Sequence, residues 1–265
     1  MITFDPVLEI YITNECNLTC SNCNRYNNYN FTGHYYWEDQ KDLLTAWSKR
    51  ITSPLMTLIG GEPTMHPDLT NWVLKTSELW PDSKVMIQTN GVKKVSNVMN
   101  GFDKISRETD GRIGQGIAVH NTNFYPKFSQ HVNDDTMFDA TEFSECALVD
   151  KGSHFVVHDS DPDDAYSACT MQISYTLFNG LLYKCPMVAL LPEFRKQYDV
   201  HLTDKQEELL YSYKPLHPSC TDEELDAFVA VSKVSIPQCN LCPGQYKTST
   251  VTFTPSLKKR KKLGE

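Results

Sequence analysis

The stretch Leu8-Glu9-Ile10-Tyr11-Ile12-Thr13, followed at once by Asn14-Glu15-Cys16-Asn17-Leu18-Thr19-Cys20-Ser21-Asn22-Cys23, decides how the rest of the chain reads. Leu8, Ile10 and Ile12 alternate with Glu9, Tyr11 and Thr13, which is the period of a strand. Three cysteines then share one short loop. A closed metal site takes four ligands, so three thiols leave one coordination position open, the mark of a reactive rather than a structural centre. Soft thiolates at this spacing suit an iron–sulfur cluster. Half of a zinc site is the other reading of the same residues.

Working outward, strands and helices alternate. Trp37 to Ile51 carries Leu43, Leu44, Trp47 and Ile51 on one helical face. Leu55 to Ile59 is a short apolar run bounded by Pro54 and Gly60, the pattern of a strand buried on both faces. Pro67 to Trp80 repeats Leu69, Trp72, Val73, Thr76 and Leu79 at helical spacing, and Pro81 stops it. Val85 to Gln88 reads as a third strand, stopped by Thr89-Asn90-Gly91, with a short helix expected over Val92 to Met99. Asp103 to Ser106, Ile117 to His120 and Phe155 to His158 are expected as later strands. This order predicts an α/β fold on a parallel sheet, whose ligands gather at the carboxyl ends of the strands.

The chain has 265 residues, 40% of them hydrophobic, enough for one large domain with a smaller appendage. It lacks an apolar run of membrane-spanning length and a signal-like N-terminus, which gives a cytoplasmic expectation. A net charge of −8 argues against general adhesion to nucleic acid. The basic run Lys258-Lys259-Arg260-Lys261-Lys262 reads as a solvated tail rather than a phosphate-binding arm. Nine cysteines in a chain read as cytosolic point to metal ligands more than to disulfides.

Three motifs in order resemble the radical S-adenosylmethionine (SAM) superfamily: the Cys16-x3-Cys20-x2-Cys23 loop, Gly60-Gly61-Glu62-Pro63 after the second strand, and Thr89-Asn90-Gly91 after the third. Gly60–Pro63 and Thr89–Gly91 are each ordinary turn sequences when taken alone; their order after successive strands carries the likeness. The resemblance implies a partial (β/α)6 TIM-like barrel. It implies that Cys16, Cys20 and Cys23 hold a [4Fe-4S] cluster whose open iron binds SAM. Gly60 and Gly61 would then allow close backbone approach to the methionyl end, Glu62 would help hold its ammonium, and Pro63 would stiffen the strand exit. Thr89, Asn90 and Ser106 are further expected SAM contacts, Ser106 at the ribose; a surface hydroxyl is its other reading. Many members carry an aromatic residue just before the third cysteine, where this chain has Asn22. Asn22 can offer a hydrogen bond but no stacking, and His34, Tyr35, Tyr36 and Trp37 are alternative aromatic walls.

A second cysteine set, Cys169, Cys185, Cys239 and Cys242, resembles the twitch module, the shorter relative of the SPASM extension in that superfamily. Asn179-Gly180 between Ile173–Phe178 and Leu181–Tyr183 is a strong hairpin signal. The resemblance implies an auxiliary [4Fe-4S] cluster on four thiolates; a closed zinc site is the alternative. Cys146 and Cys220 are read as unligated. His120, His154 and His158 are candidates on late strands, for which a structural role is the plainer reading. Asp159 to Asp164 reads as a solvated linker. The domains expected are 1–160 as the core, 161–252 as the auxiliary-cluster domain and 253–265 as a basic tail.

The function implied is reductive cleavage of SAM to a 5′-deoxyadenosyl radical that takes a hydrogen atom from substrate. Dehydrogenation with the auxiliary cluster as electron acceptor is the leading reaction type. The alternatives are a redox-neutral reaction on a nucleoside, nucleic-acid base or peptide, and a zinc- or cluster-binding protein without SAM chemistry. A flavodoxin or ferredoxin is the implied reductant. No residue of the sequence singles itself out as the catalytic acid or base.

Overall fold

The computed structural model describes residues 1–20, 23–119, 137–139, 142–144, 147–172, 174–245, 248–250 and 262–263. The chain forms two compact units, one of residues 1–17, 32–141 and 177–180, the other of 18–31, 142–176 and 181–265.

The first unit opens with β1 (Ile2–Thr3) and β2 (Val7–Thr13), then α1 (Trp37–Ser48), β3 (Ile51–Thr52), β4 (Leu55–Gly60) and α2 (Leu69–Leu79). It continues with β5 (Lys84–Thr89), α3 (Phe102–Glu108), β6 (Ile113–Val119) and β7 (Met137–Asp139). Strands β2, β4, β5, β6 and β7 pair in that order, all parallel. In β2, Leu8, Ile10 and Ile12 are completely buried, and so are Tyr11 and Thr13 on the other face. The alternation therefore marked a strand but not a wet face, because a parallel sheet is covered on both sides. Each fully buried aliphatic side chain here contributes about 1.5–3 kcal/mol.

Helices α1 and α2 bury one stripe each: Trp37, Leu44 and Trp47 on one, Leu69, Trp72 and Val73 on the other. The Trp37 and Trp72 rings meet edge to face at 5.2 Å. The buried indoles of Trp47, Trp72 and Trp80 each donate to a backbone carbonyl at 2.9 Å, on Gly180, Tyr35 and Ile51. A buried Trp is tolerated only when its N–H is so satisfied.

Several expectations are corrected. Asp103 to Ser106 is not a strand but lies within helix α3, which starts after Gly101 in the left-handed region (φ 76°). Phe102 and Ile105 recur at helical spacing in an otherwise charged run, which a reading for short strands passes over. The fourth parallel strand is β6, which begins four residues before the expected Ile117. Gly114 and Gly116 disguised it. A Cβ on Gly116 would lie 2.3 Å from Met86 Sδ, so the glycine makes room for a neighbouring side chain. The helix expected to run to Ile51 ends at Ser48, since Ile51–Thr52 pairs instead with Ile2–Thr3. Val92 to Met99 contains only a 3-10 turn at Val95–Asn97.

The second unit holds β8 (Glu142–Ser144), β9 (Val149–Asp150), β10 (Phe155–Val156), α4 (Pro162–Ser167), β11 (Tyr175–Phe178, its last two residues counted with the first unit) and β12 (Leu181–Tyr183). There follow α5 (Pro186–Arg195), β13 (Val200–His201), α6 (Asp204–Ser212), α7 (Asp222–Ser232), a 3-10 turn over Pro237–Leu241 and β14 (Thr248–Thr250). β9, β10 and β13 form a small mixed sheet, and β8 pairs with β14. Tyr26, Tyr29, Phe31, Phe155 and Tyr198 surround Phe194 to make the core. Helices α6 and α7 each begin with a capping box, Thr203 with Gln206 and Thr221 with Glu224. Phe155–Val156 is a strand as expected, but it belongs to this unit and not to the parallel sheet. The acidic run Asp159 to Asp164 is not a bare linker. Asp161 caps α4 by accepting from Asp163 N and Asp164 N, Pro162 takes the first turn, and acids follow at the positive end of the helix.

Candidate functional site

In the first unit, β2, β4 and β5 end at Thr13, Gly60 and Thr89, and the sequence motifs converge at these carboxyl ends. Gly61 N donates to Thr13 O at 2.8 Å and Glu62 N to Glu15 O at 2.7 Å. A Cβ on Gly60 would stand 2.3 Å from Thr13 O, and one on Gly61 would stand 2.2 Å from Glu15 O. Real Cβ atoms do not approach backbone this closely, so both positions require glycine. The side of Gly60-Gly61 that lacks Cβ is thus filled by the strand exit that leads into Cys16.

Glu62 is completely buried. Its Oε1 accepts from Thr64 N (2.9 Å), Thr64 Oγ1 (2.6 Å) and Thr89 Oγ1 (2.7 Å), and its Oε2 accepts from Asn90 N (2.7 Å). Burial pushes the carboxyl above its ordinary value, and these donors pull the other way. Pro63 opens the 3-10 turn Pro63–Met65 that delivers Thr64 to Glu62. The carboxylate ties the turn after β4 to the turn after β5. That tie aims Asn90, whose Nδ2 donates to Asn17 Oδ1 at 2.7 Å and lies 3.9 Å from Cys16 Sγ. Asn17 and Thr64 are members of this hydrogen-bonded network that the sequence reading missed. Thr64 was findable as a hydroxyl two residues after an acid at a turn; Asn17 left no signal beyond its place beside Cys16.

Beside these residues the His34–Trp37 segment supplies rings. His34 Nδ1 meets Thr13 Oγ1 at 2.9 Å, while its Nε2 lies 3.6 Å from Glu15 Oε1. His66 Nδ1 accepts from Asp68 N at 3.0 Å, so its Nε2–H donates to Tyr35 O at 2.9 Å. Burial lowers the His66 pKa. The His34 and His66 rings stand 5.1 Å apart, and Tyr36 stands 5.4 Å from His66.

Ser106 is not at a strand end. It lies in α3, where its carbonyl accepts from Gly111 N at 2.8 Å. Asn22, His120 and Cys146 lie outside the described residues, as do residues 258–261 of the basic run. Cys16 belongs to the first unit; Cys20 and Cys23 belong to the second, and both are half-buried. His154 and His201 stack face to face at 4.0 Å in the second unit, and His158 precedes the acidic run.

The second unit gathers the other cysteines. Cys169 follows α4, with its N donating to Tyr166 O at 3.1 Å and its Sγ accepting from Met171 N at 3.2 Å. Cys185 caps the start of α5. It stands after β12, beyond a turn whose central residues, Asn179 (φ 49°) and Gly180 (φ 71°), both have positive φ, as a tight hairpin connection demands. Cys239 sits in the 3-10 turn, and Cys242 closes it by donating N–H to Cys239 O at 3.0 Å. Asn240 fixes this turn by donating to Asp159 Oδ1 (2.9 Å) and Ser160 O (2.6 Å). All four cysteines line one small cavity of about 40 Å³, with Tyr166, Met171, Lys184, Met187 and Ile236 among its other walls. Three of them also line an adjoining cavity of about 70 Å³ that includes Asn24 and Tyr26. Burial pushes the Cys185 thiol up to about 12 and raises Cys169 as well. Cys220 lies before α7 and is not among the residues lining this cavity.

Among the described residues, no three His, Cys, Asp or Glu side chains converge closely enough to ligate a single ion. A zinc ion draws four sulfurs to about 2.3 Å from one point. The four thiols that line the cavity could serve either a zinc ion or a multi-atom cluster.

The parallel sheet with functional motifs at its carboxyl ends defines an α/β protein of the partial TIM-barrel class. No protein-family model and no curated protein matches the chain. Among solved structures, the chain is similar to BtrN in complex with AdoMet and 2-DOIA, with a TM-score of 0.51 and 16% identity over 91% of this chain and 94% of that one. BtrN in an open conformation aligns with a TM-score of 0.39 and 18% identity over 68% and 69% of the two chains. SuiB from Streptococcus suis bound to S-adenosylmethionine gives 0.34 and 21% over 45% and 26%. The first of these likenesses establishes that the chain shares the BtrN fold; the other two are too loose to add to it.

Proposed function

We propose that the chain is a radical SAM enzyme carrying two iron–sulfur clusters, and that it oxidises its substrate by hydrogen abstraction. The observation that carries this reading is the buried carboxylate of Glu62, which joins two separate turn motifs and directs the Asn90 amide toward Asn17 and Cys16. A generic strand–turn–helix unit has no need of a completely buried acid at this place. The BtrN fold, solved with AdoMet, supports the same reading.

Cys16, Cys20 and Cys23 would hold the first cluster, and an open iron there would supply the electron that cleaves SAM. Gly60 and Gly61 keep the strand exit tight against the loop, and Asn90 presents an amide to a ligand sulfur. Asn90, and Asn22 next to the third cysteine, would contact SAM, while the buried Glu62, Pro63 and Thr89 would shape the turns that present them. Cys169, Cys185, Cys239 and Cys242 would hold an auxiliary [4Fe-4S] cluster in a twitch-like module. Four thiolates close that cluster, which suits an electron acceptor and therefore favours dehydrogenation over a redox-neutral reaction. A flavodoxin or ferredoxin would supply the first electron. No helix among the described residues is long and apolar enough to cross a membrane.

The test is anaerobic reconstitution with iron and sulfide. Two intact sites take up about eight irons per chain, and with SAM and dithionite the protein releases 5′-deoxyadenosine and methionine. Cys16→Ser should abolish that release, while Cys239→Ser should lower iron content to about four and leave SAM cleavage in place. A colourless protein that returns SAM unchanged would overturn the proposal.

A further inference from the structure

Lys184 is an unusual residue to find in the cysteine cavity of the second unit. It is 5% exposed, and it is the one lysine or arginine among the described residues lining that space. Its Nζ donates to Val231 O at 3.0 Å, in the last turn of α7, and to Val234 O just beyond the helix end. Nζ also stands 4.7 Å from the centre of the Tyr166 ring, another wall of the cavity. Its own backbone N–H is held by Tyr213 Oη at 2.9 Å. Carbonyl dipoles and a ring face hold the ammonium in place but bring no counter-charge. Cys169, Cys185, Cys239 and Cys242 line the same cavity. Burying a cation is unfavourable unless an anion answers it. On the two-cluster reading, the thiolate-bound cluster would supply the negative charge beside it.

We infer that Lys184 is the fixed cation of the four-cysteine site, and that it sets the auxiliary cluster's reduction potential. The inference rests on the proposed two-cluster reading. An added electron places further negative charge on the thiolate-bound cluster. A positive charge held close by in an apolar cavity stabilises that state, so the site accepts electrons more readily. The carbonyls of Val231 and Val234 and the Tyr166 ring keep the ammonium in place. The role is one of positioning and electrostatics: Lys184 need not touch substrate.

The experiment uses full-length protein carrying Cys16→Ala, Cys20→Ala and Cys23→Ala, which leaves only the auxiliary site to be loaded. It compares this background with and without Lys184→Gln, a neutral side chain that can still donate to the two carbonyls, and with Lys184→Arg, which keeps the charge. Iron content and an EPR-monitored redox titration are the readouts. Lys184→Gln should retain about four irons and lose at least tenfold in the reduced-to-oxidised ratio at fixed potential, about 59 mV for one electron. Lys184→Arg should titrate close to the parent. Equal potentials for parent and Lys184→Gln at equal iron content would overturn the inference while leaving the two-cluster reading intact. Uptake of zinc instead of iron by the parent background would overturn both.

Discussion

Thr89 Oγ1 donates to Glu62 Oε1 at 2.7 Å, joining the end of β5 to the turn that leaves β4 inside a region closed to solvent. Thr89 Oγ1 also accepts from Gly91 N at 3.0 Å, so one hydroxyl both tethers the acid and shapes its own turn. Thr89→Val keeps the volume and removes both bonds. It should destabilise the protein by about 1–3 kcal/mol, the cost of leaving buried polar groups unpaired. Thr89→Ser should recover most of that. Urea denaturation midpoints at constant m-value check it, and a Thr89→Val midpoint equal to wild type would count against the tether.

Gly61 and Gly111 give a contrast that separates crowding from backbone strain. A Cβ at Gly61 would meet Glu15 O at 2.2 Å, and the obstacle is backbone, which cannot swing aside. Gly111 has φ +72° but nothing within 4 Å of its missing Cβ. Gly111→Ala should therefore cost about 1–2 kcal/mol, from its left-handed conformation alone. Gly61→Ala should cost at least about 1–3 kcal/mol from overpacking, and it should also lower iron retention at the first cluster, because the displaced segment is the one that enters Cys16. Thermal melts and iron assays of the two variants measure the difference. Similar iron contents would show that the Gly61 contact does not shape the loop.

His66 should leave a pH signature. Burial is the main cause of its lowered pKa, with the Tyr35 carbonyl pulling the other way. As pH falls, the unfolded chain takes up this proton first, near about 6.5. The stability contribution is thus complete above that value. It declines as pH drops below it and levels off once the folded histidine is also protonated. The slope in that window is at most about 1.4 kcal/mol per pH unit for one proton. His66→Gln should flatten the stability curve between pH 6.5 and the onset of acid unfolding. A wild-type curve already flat there would remove His66 as the cause.

The parts of the fold that could be read from sequence are those where periodicity and turn chemistry agree. Val7–Thr13, Leu55–Gly60 and Lys84–Thr89 combine apolar runs with sharp Asn, Gly or Pro stops, and all three form strands. Phe102–Glu108 was missed because two apolar residues in seven resemble a short strand as easily as a helix face. Ile113–Val119 was read late because its glycines serve the neighbouring Met86 rather than the pattern. At the site, the residue types were legible while their partners were not. Glu62 stood out within Gly-Gly-Glu-Pro, yet its four donors come from Thr64, Thr89 and Asn90, and only the parallel pairing of β4 with β5 brings the last two near. Lys184 offered no signal at all: a lysine at the end of a hairpin normally faces water.

Asn90 provides the sharpest test of how the first site is wired. Its backbone N–H is anchored on Glu62 Oε2 and its Oδ1 accepts from Val92 N at 3.0 Å, which fixes the side chain so that Nδ2 points toward Asn17 Oδ1 and Cys16 Sγ. Asn90→Asp keeps the Val92 bond but replaces the donating amide with an anionic oxygen. That oxygen would face an amide oxygen and a thiolate, and both contacts become repulsive. On the proposed reading, the variant should lower the first cluster's potential and slow 5′-deoxyadenosine release by at least about tenfold, since a donor to a ligand sulfur is worth roughly that factor in site properties. Asn90→Ser, with a shorter donor and no charge, should fall between wild type and Asn90→Asp. Iron content measured in parallel separates a loss of cluster from a change in its reactivity. Asn90→Asp that binds a full cluster and cleaves SAM at the wild-type rate would mean that this amide serves the turn alone.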